Sequence, residues 1–271
     1  MIRFGGLFGK PVGEAPAEDT PVPIPGQGEF GDVAPYYDHL MRAVPYQRWV
    51  DYIEAILNRW AMKPAKVLDL CCGTGRAGSE MCRRGYNVLG VDLSEPMVRH
   101  CSAQAPALPA LVSDAAFLAI KPEQFDLVVS VYDSLNYILD PALLAQCFED
   151  VYRVLEPGGL FIFDVNTPRA LTSGLFTQQN LASDDPLLYS WEAHWDPKAR
   201  VCSVDMWFRW RGNDGDTVEF RETHCQYAYR NEEVLKMLEA AGFVGIQPFN
   251  AYTFRPVTRW SDRAFYVARK E

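Results

Sequence analysis

The chain has 271 residues, of which 48% are hydrophobic and 23% are charged. This composition is typical of a globular protein and excludes fibrous, collagen-like and wholly disordered chains. Its 26 basic and 35 acidic residues give a formal net charge of −9, which disfavours nucleic acid as a default partner unless a local basic groove overrides it.

The sequence indicates an intracellular setting. It has no run of about 18 apolar residues, so we expect no membrane-spanning helix, and its first residues lack the sustained apolar segment of a secretory signal. Seven cysteines, an odd number without any C-x-x-C pair, argue against a disulfide framework and against a zinc site. We therefore expect a cytoplasmic protein without a bound metal.

The first 60 residues divide into two parts. Residues 1–30 hold 6 of the 19 glycines and 5 of the 19 prolines, which predicts a flexible tail; a lid over a ligand or an arm for a partner is the alternative. Residues 35–61 show helical spacing, with one apolar stripe formed by Trp49, Val50, Ile53, Ile56, Leu57 and Trp60.

A regular alternation of strands and helices follows. The predicted strands are KVLDL (66–70), NVLGV (87–91), LVSD (ending at 114), FDLVVSV (125–131) and LFIFDV (160–165). The intervening helices cover 75–84, a segment capped by Ser94, and a segment opened by Asp140 and ended by Pro157-Gly158-Gly159. This order predicts an α/β fold with an open, mostly parallel sheet and helices on both faces. Ligands of such sheets bind beyond the carboxyl ends of the strands.

The pattern changes after residue 166. Residues 187–229 alternate as in β-strands and carry an Asn213-Asp214-Gly215 turn, which predicts an antiparallel β insertion within 167–230. Its many aromatic residues either pack on the main sheet or form a dimer surface. A helix capped by Asn231 and ended by Gly242, then strands at about 246–254 and 263–269, complete a seven-stranded sheet in one domain, 31–271.

The loop after the first predicted strand contains glycines at the spacing G-x-G-x-x-G, formed by Gly73, Gly75 and Gly78. Alone, this motif indicates either a dinucleotide site or a tight turn that requires glycine. Asp69 lies within the preceding strand, where a carboxylate would suit an amine and a positive sulfur better than a pyrophosphate. This context disfavours a nicotinamide dehydrogenase.

Two further acids end the next two predicted strands. Asp92 can bind ribose hydroxyls with both carboxylate oxygens, and Asp114 can accept from an adenine amino group, with the Ala115 backbone beside it. Turn acids or helix caps would explain each one singly, but an acid at three successive strand ends favours a shared ligand.

These segments resemble class I S-adenosylmethionine-dependent methyltransferases over about 35–271. The resemblance is carried by VLDLCCGTG (67–75), VDLS (91–94) with Met97, FDLVV (125–129) and LEPGG (155–159). A narrower resemblance, to small bacterial methyltransferases related to glycine and aminosugar N-methyltransferases, is carried by YYD (36–38), DSLNY (133–137) and FDVNTP (163–168).

The resemblance implies a Rossmann-like methyltransferase fold and S-adenosylmethionine as cofactor. The residues expected to bind it are Tyr37, Tyr46, Trp49, Asp69, Cys71, Gly73, Thr74, Gly75, Asp92, Leu93, Met97, Asp114, Ala115 and Val131. For the three aromatic residues in this set, packing in the core is the alternative.

Three residues are candidates for catalysis. Asp133 and Tyr137 follow the fourth strand, where acceptors meet the methyl group in the resembling fold, and Asp133 would act as a base or, alternatively, cap the next helix. His194, like His224, lies in the insertion, which would cover the acceptor; a surface histidine on a strand is the alternative.

The leading hypothesis is in-line methyl transfer to a nitrogen or oxygen of a small molecule, by a monomer or homodimer without nucleic-acid or membrane partners. An RNA or protein methyltransferase is a second hypothesis. A non-catalytic module that binds S-adenosylmethionine is a third.

Overall fold

The computed structural model of the chain describes residues 30–212 and 214–271. All of the predicted tail except Phe30, and Asn213 of the predicted turn, lie outside the described residues. Within them, no helix is both long and apolar enough to span a lipid bilayer.

The described strands form two sheets. The strands are β1 (Lys66–Leu70), β2 (Asn87–Asp92), β3 (Ala110–Val112), β4 (Phe125–Ser130), β5 (Leu155–Asn166), β6 (Gln178–Gln179), β7 (Leu187–Asp196), β8 (Val201–Arg211), β9 (Thr217–Tyr227), β10 (Val244–Asn250) and β11 (Arg263–Arg269). The main sheet has the order β10-β11-β5-β4-β1-β2-β3, and the second sheet has the order β6-β7-β8-β9. These sheets confirm the predicted seven-stranded α/β fold with an antiparallel insertion after the fifth strand.

The described helices connect these strands. They are α1 (Ala34–Leu40), α2 (Tyr46–Arg59), α3 (Arg76–Arg83), α4 (Glu95–Gln104), α5 (Pro141–Val154), α6 (Pro168–Thr172) and α7 (Asn231–Ala240), with a 3₁₀ turn at Ser134–Tyr137. In the main sheet, β1 is parallel to both β2 and β4, and β11 is antiparallel to β5 and β10. The strand order therefore reverses between β1 and β4, which places the expected ligand site at their carboxyl ends.

The main sheet is buried on both faces, as its apolar runs predict. Leu68 and Val128 pack with Phe148 of α5 on one face. Val67 and Leu127, the preceding residues on the same strands, point to the opposite face of the sheet. They pack there against α2 and α3. Because successive side chains of a strand point to opposite faces, two distinct cores hold β1 and β4 in place beneath the site.

Several predicted boundaries are wrong. The helix predicted over 35–61 is two helices, because Pro45 has no amide hydrogen to donate and takes the position before α2. β5 begins at Leu155 instead of 160, because Leu155 already pairs with Phe125 before a shift in register. β10 covers Val244–Asn250 instead of about 246–254, whereas β11 covers the predicted 263–269.

Two predicted helix caps differ as well. Ser94 precedes α4, but its hydroxyl donates to the Phe30 carbonyl and caps no helix amide. Asn231 is the first residue of α7, and Arg230 takes the cap position. The Asn231 side chain instead accepts a hydrogen bond from the Tyr266 hydroxyl, 2.9 Å away. Both side chains thus bond to residues distant in sequence instead of capping helices α4 and α7.

Candidate cofactor and acceptor site

The loop between β1 and α3 turns sharply at left-handed residues. Cys71, Gly73 and Gly75 have φ angles of +61°, +54° and +79°. A Cβ on Gly75 would lie 2.4 Å from Cys101 Sγ, so packing requires a glycine there. A Cβ on Gly73 would meet no described atom within 4 Å, so the loop is open at this point. The loop thus packs against the protein on one side and leaves its backbone accessible to a ligand on the other.

Asp69 is a buried carboxylic acid with an unfilled acceptor. Its side chain is on β1 with 1% of the residue exposed, and its Oδ2 has no hydrogen-bond partner among the described residues. Burial raises the pKa of Asp69 to about 7, the Gly78 amide lowers it, and the Asp92 carboxylate raises it further. This oxygen lies against α3, where a Cβ on Gly78 would come within 2.6 Å of it. Because burying a carboxylate without a full set of donors is costly, the Asp69 carboxylate favours a cationic or N–H-bearing group beside it.

Asp92 lies at the carboxyl end of β2 and binds the glycine loop. Its Oδ2 accepts from the Gly73 amide at 2.8 Å, and its Oδ1 accepts from the Ser94 amide at 2.9 Å. Burial raises the pKa of Asp92, while these amides lower it. Each oxygen keeps a further lone pair, so both can still accept from ligand hydroxyls.

Asp114, the third of the predicted strand-end acids, lies beyond β3 at the same carboxyl edge of the main sheet. Asp114 lies two residues beyond β3, where its Oδ1 accepts from the Ala116 amide at 2.8 Å. Ala115 is buried beside it. Asp114 therefore shapes a turn through one of its two carboxylate oxygens. Leu93, after β2, is 62% exposed.

Helix α1 is fastened across the glycine loop. The Thr74 hydroxyl donates to Asp38 Oδ1 at 2.7 Å, and Asp38 also lies near Arg76 and His100. Met97 of α4 is buried in a cluster with Val33 and Ala34 at the start of α1 and with the insertion. Met97 and Thr74 thus hold the covering helix, a role that the sequence did not predict for them.

Aromatic side chains surround the carboxyl ends of β1 and β4. The Trp49 ring stacks on Tyr132 with ring centroids 5.0 Å apart, and it contacts Tyr46 at 5.2 Å. Burial raises the pKa of the Tyr37 hydroxyl, and the nearby hydroxyls of Tyr46, Tyr132 and Tyr137 and the Asp133 carboxylate raise it further. Val131, before this group, is buried in the core. The predicted aromatic residues therefore lie together over the end of β4.

Asp133 is held by two donors. Its Oδ1 accepts from Arg263 Nη2 at 2.5 Å and its Oδ2 accepts from Gln226 Nε2 at 2.6 Å. Arg263 also forms an ion pair with Asp164, whose Oδ1 accepts from the Tyr132 amide at 2.6 Å. Burial raises the pKa of Asp164, and Arg263 lowers it. This network fixes the turn after β4, where Asp133 itself has a φ angle of +54°.

Tyr137 meets two residues that sequence reasoning left out of the predicted site. Its hydroxyl lies 3.2 Å from His224 Nδ1, and His224 Nε2 lies 2.7 Å from Glu222 Oε2. Glu222 and His224 alternate on β9 with Gln226, so all three point to the same face of the second sheet. This alternation of polar residues was the available signal, but it looks the same as that of a solvent-facing strand face.

The structure does not bring His194 to this group. On the second sheet, the register pairs His194 with Ser203 and Ser203 with Cys225, whereas His224 pairs with Val204 and lies on the opposite face. The His194 side chain is 52% exposed and lies 3.5 Å from Asp205. The predicted catalytic residues are thus divided: Asp133 and Tyr137 lie at the end of β4, and His194 lies on the outer face of the insertion.

A cavity of about 380 Å³ opens at the other edge of the main sheet, and its lining includes Lys66, Asn87 and Gln124. Lys66 and Asn87 are the first residues of β1 and β2. The cavity therefore lies at the amino ends of the strands, away from the residues described above. No three His, Cys, Asp or Glu side chains in 30–212 and 214–271 are grouped as metal ligands.

These features fit S-adenosylmethionine at the carboxyl ends of β1 and β2. The buried Asp69 carboxylate suits a cationic amine of the cofactor, and the open side of Gly73 suits close approach of its chain. Asp92 retains acceptors for ribose hydroxyls, and the aromatic rings suit a positive sulfur.

Comparisons with known proteins agree with this geometry. The sequence profile of a family described as "Methyltransferase domain" matches residues 67–159. YqeM of Bacillus subtilis, which carries a provisional methyltransferase name, is 33% identical over 243 residues, 88% of this chain and 95% of that protein.

Two solved structures share the fold. An S-adenosylmethionine-dependent methyltransferase from Clostridium acetobutylicum superposes with a TM-score of 0.76 at 28% identity, covering 88% of this chain and 98% of that chain. CalS10 from Micromonospora echinaspora is an amino pentose methyltransferase with S-adenosylmethionine bound. It superposes with a TM-score of 0.71 at 17% identity, covering 87% of this chain and 96% of that chain.

Proposed function

This chain belongs to the class I S-adenosylmethionine-dependent methyltransferases, and from that premise we propose that it methylates a nitrogen or oxygen atom of a small molecule. S-adenosylmethionine supplies a methyl group on a positively charged sulfur that leaves as a neutral thioether. We assign cofactor binding to the residues around the glycine loop, with Asp69 on the amine and Asp92 on the ribose. Asp133 and Tyr137 lie on the acceptor side.

The observation that carries the proposal is the position of the insertion. Gln226 of β9 donates to Asp133, and His224 of β9 contacts Tyr137. Both Asp133 and Tyr137 follow β4, so the second sheet lies directly over the acceptor side. A site covered in this way admits a small acceptor more readily than a folded protein or an RNA helix, and the net charge of −9 further disfavours RNA.

The resemblance in fold to CalS10, which is named as an amino pentose methyltransferase, supports amines among the acceptors. Six cysteines are free thiols, which supports a reducing, cytoplasmic location: Cys71, Cys72, Cys82, Cys101, Cys147 and Cys202. We further propose that the enzyme acts as a monomer or homodimer.

The chain's own residues supply alignment and exclusion of water. Asp69 and Asp92 orient the cofactor from one side, and Trp49, Tyr132 and Tyr37 close the other side with rings. Because the leaving group is good, alignment and desolvation carry most of the rate acceleration.

The test is calorimetric titration with S-adenosylhomocysteine, using NADH as the control, followed by transfer of a labelled methyl group. The acceptors are a panel of amino sugars, a panel of phenols, a folded-protein mixture and transfer RNA. We expect micromolar binding of S-adenosylhomocysteine, no binding of NADH, and label in the small molecules. Label confined to the protein mixture or the RNA would refute the proposed acceptor class, and tight binding without any transfer would indicate a non-catalytic module.

A further inference from the structure

A chain of hydrogen bonds, buried at His224 and Glu222 and half-buried at Tyr137, joins the turn after β4 to the insertion. It runs from the Tyr137 hydroxyl to His224 Nδ1 over 3.2 Å, and from His224 Nε2 to Glu222 Oε2 over 2.7 Å. His224 is 3% exposed and Glu222 is 8% exposed. A phenol, an imidazole and a carboxylate in series have the arrangement in which a base is oriented by a third group.

The contacts of Glu222 determine which imidazole nitrogen carries the proton. Glu222 Oε1 accepts from the backbone amides of Asp32 and Val33, at 2.8 Å and 3.0 Å. An ionised carboxylate only accepts, so Oε2 must receive the proton of His224 Nε2. In neutral His224 the other nitrogen, Nδ1, then has a lone pair and accepts the Tyr137 hydroxyl hydrogen. Every hydrogen bond of the chain thus points from Tyr137 towards Glu222.

The Tyr137 end of this chain lies at the acceptor side. The Phe30 ring covers both His224 and Tyr137, with ring centroids 4.4 Å and 5.1 Å away, and it contacts Tyr37 at 5.9 Å. Tyr37 in turn lies near the Tyr137 hydroxyl and Asp133. The rings limit access of water, which strengthens hydrogen bonds and charge interactions beneath them.

We infer that Tyr137, His224 and Glu222 form a proton relay, and that the acceptor is therefore an amine or hydroxyl that loses a proton on methylation. This inference rests on the proposed function. The acceptor's lone pair forms the bond to the methyl carbon as the carbon–sulfur bond breaks with its electron pair on sulfur. The acceptor's proton passes to the Tyr137 oxygen while the Tyr137 proton passes to His224 Nδ1. Imidazolium paired with the Glu222 carboxylate holds the charge until product leaves and the proton returns to solvent.

The three residues have different roles in the relay. Tyr137 is the catalytic residue, because its oxygen meets the acceptor, whereas His224 and Glu222 are positioning residues that act through it. A purely structural role for Glu222 would consist of fastening Asp32 and Val33 to the insertion. The two roles make opposite predictions for the change of Glu222 to glutamine.

Glu222→Gln keeps the contacts with the Asp32 and Val33 amides but reverses the direction of the hydrogen bonds from Tyr137 to residue 222. The glutamine oxygen still accepts from the Asp32 and Val33 amides. Its NH₂ group donates to His224 Nε2, which moves the imidazole proton to Nδ1 and makes His224 a donor to Tyr137. His224 then cannot accept the Tyr137 proton, the same loss of function that a wrong histidine tautomer causes in catalytic triads.

The experiment compares wild type with Glu222→Gln, Tyr137→Phe and a control, Glu219→Gln. Glu219 lies on the same strand in an exposed ion pair with Arg209. The first readout uses the protein alone: nitrogen-15 NMR of histidine-labelled protein assigns the protonated nitrogen of His224. We expect Nε2 in wild type and Glu219→Gln, and Nδ1 in Glu222→Gln.

The second readout is labelled methyl transfer to the amino-sugar and phenol panels. For Glu222→Gln and Tyr137→Phe we expect kcat to fall by about 10²-fold or more, the usual range for a lost acid–base group. The KM for the acceptor and the affinity for S-adenosylhomocysteine should stay within a few-fold of wild type. Transfer confined to amines assigns the lost proton to nitrogen, and transfer confined to phenols assigns it to oxygen; with the expected loss of kcat, either result supports the relay.

Failure of the relay and failure of the proposed function give different results. A kcat of Glu222→Gln equal to that of wild type, or a proton on Nδ1 in wild type, overturns the relay and leaves the proposed function standing. Wild type that binds no S-adenosylhomocysteine, or that methylates neither panel, overturns the proposed function, and the relay with it.

Discussion

The guanidinium of Arg263 donates to the carboxylate of Asp133 across 2.5 Å, although 130 residues separate them along the chain. Arg263 begins β11, an inner strand between β10 and β5, and Asp133 follows β4, so this ion pair joins β11 to the turn on the proposed acceptor side. Arg263 also forms an ion pair with the buried Asp164. The conformation of the turn after β4 therefore depends on β11, which comes about 130 residues later in the chain.

Changing Asp133 to asparagine tests this arrangement. Its new NH₂ group would face Gln226 Nε2, and Gln226 cannot simply turn because its Oε1 already accepts from Asn166 at 3.0 Å. We expect the free energy of unfolding to fall by about 1–3 kcal/mol, the usual cost of a buried unpaired polar group. Urea unfolding measures this loss, with Asp205→Asn on the exposed face of the insertion as control. Methyl transfer per folded molecule should also fall; unchanged turnover would remove Asp133 from the role of base.

Affinity for S-adenosylhomocysteine should depend on pH through Asp69. Its pKa is about 7 in the ligand-free protein, and a cationic amine beside it favours the ionised form. Binding below pH 7 should therefore release a proton, and the dissociation constant should rise up to about tenfold for each pH unit below 7. Calorimetry in buffers of different ionisation enthalpy measures the proton release. Asp69→Asn should bind more weakly and show neither effect.

The raised pKa of Asp69 should make the ligand-free protein less stable as the pH rises, whereas the same rise in pH makes cofactor binding stronger. The folded protein holds the Asp69 proton more tightly than the unfolded chain does. The contribution of Asp69 to the free energy of unfolding is therefore fully present below about pH 4 and is lost as the pH rises to about 7. Unfolding of the ligand-free protein across this range should show a steeper loss of stability with rising pH in wild type than in Asp69→Asn. An identical slope in both proteins would contradict the raised pKa.

Asp92→Asn should weaken cofactor binding. Asparagine keeps one carbonyl oxygen but replaces the second acceptor with a donor, so it cannot accept from two ribose hydroxyls. Hydrogen bonds to charged groups contribute about 1.5–3 kcal/mol, so we expect the dissociation constant of S-adenosylhomocysteine to rise by about 10- to 100-fold. Asp126→Asn is the matched control, because Asp126 also accepts from two backbone amides but lies at the opposite edge of the sheet. An Asp92→Asn affinity equal to wild type would refute the ribose assignment.

Alanine at the two loop glycines should lower stability at both positions, whereas a methyl group facing the open side of the loop is present only at Gly73. A methyl group on Gly75 would meet Cys101 and Leu108, so Gly75→Ala should lower the free energy of unfolding by about 1–3 kcal/mol. Gly73→Ala meets no described atom and carries only the cost of its left-handed backbone, about 1–2 kcal/mol. Its methyl group should instead raise the dissociation constant of S-adenosylhomocysteine more than tenfold. Equal affinities for Gly73→Ala and wild type would show that the cofactor does not approach this face.

The cofactor side of the site was predictable from sequence because it depends on local order. Asp69 and Asp92 end parallel neighbouring strands, so reading the strands correctly also places their acids at one edge. The glycine loop follows directly from β1. Pro45 could also have been read, since a proline within an apparent helix marks its end, but the apolar stripe over 35–61 obscured that signal.

The acceptor side was predictable only in part, because it is assembled from distant segments. Asp133 and Tyr137 follow β4, but Arg263, Gln226 and His224 reach them from residues about 90 to 130 positions later. Period-two spacing assigns Glu222 and His224 to one face of a strand, yet it does not say which face is buried. His194 and His224 look equivalent in sequence, and only the pairing of the strands separates them.

Helix α1 is seven residues long, two turns, and helices of this length do not persist in isolation. Contacts on both sides maintain it: Asp38 binds Thr74 of the glycine loop at 2.7 Å, and His39 binds Asp185, just before the insertion's β7, at 2.8 Å. The two halves of the site thus share one marginal helix. A ligand that orders α1 from one side reduces the entropic cost of ordering it for a ligand on the other side. Cofactor and acceptor should therefore bind with positive cooperativity, and each should raise the other's affinity by the same factor.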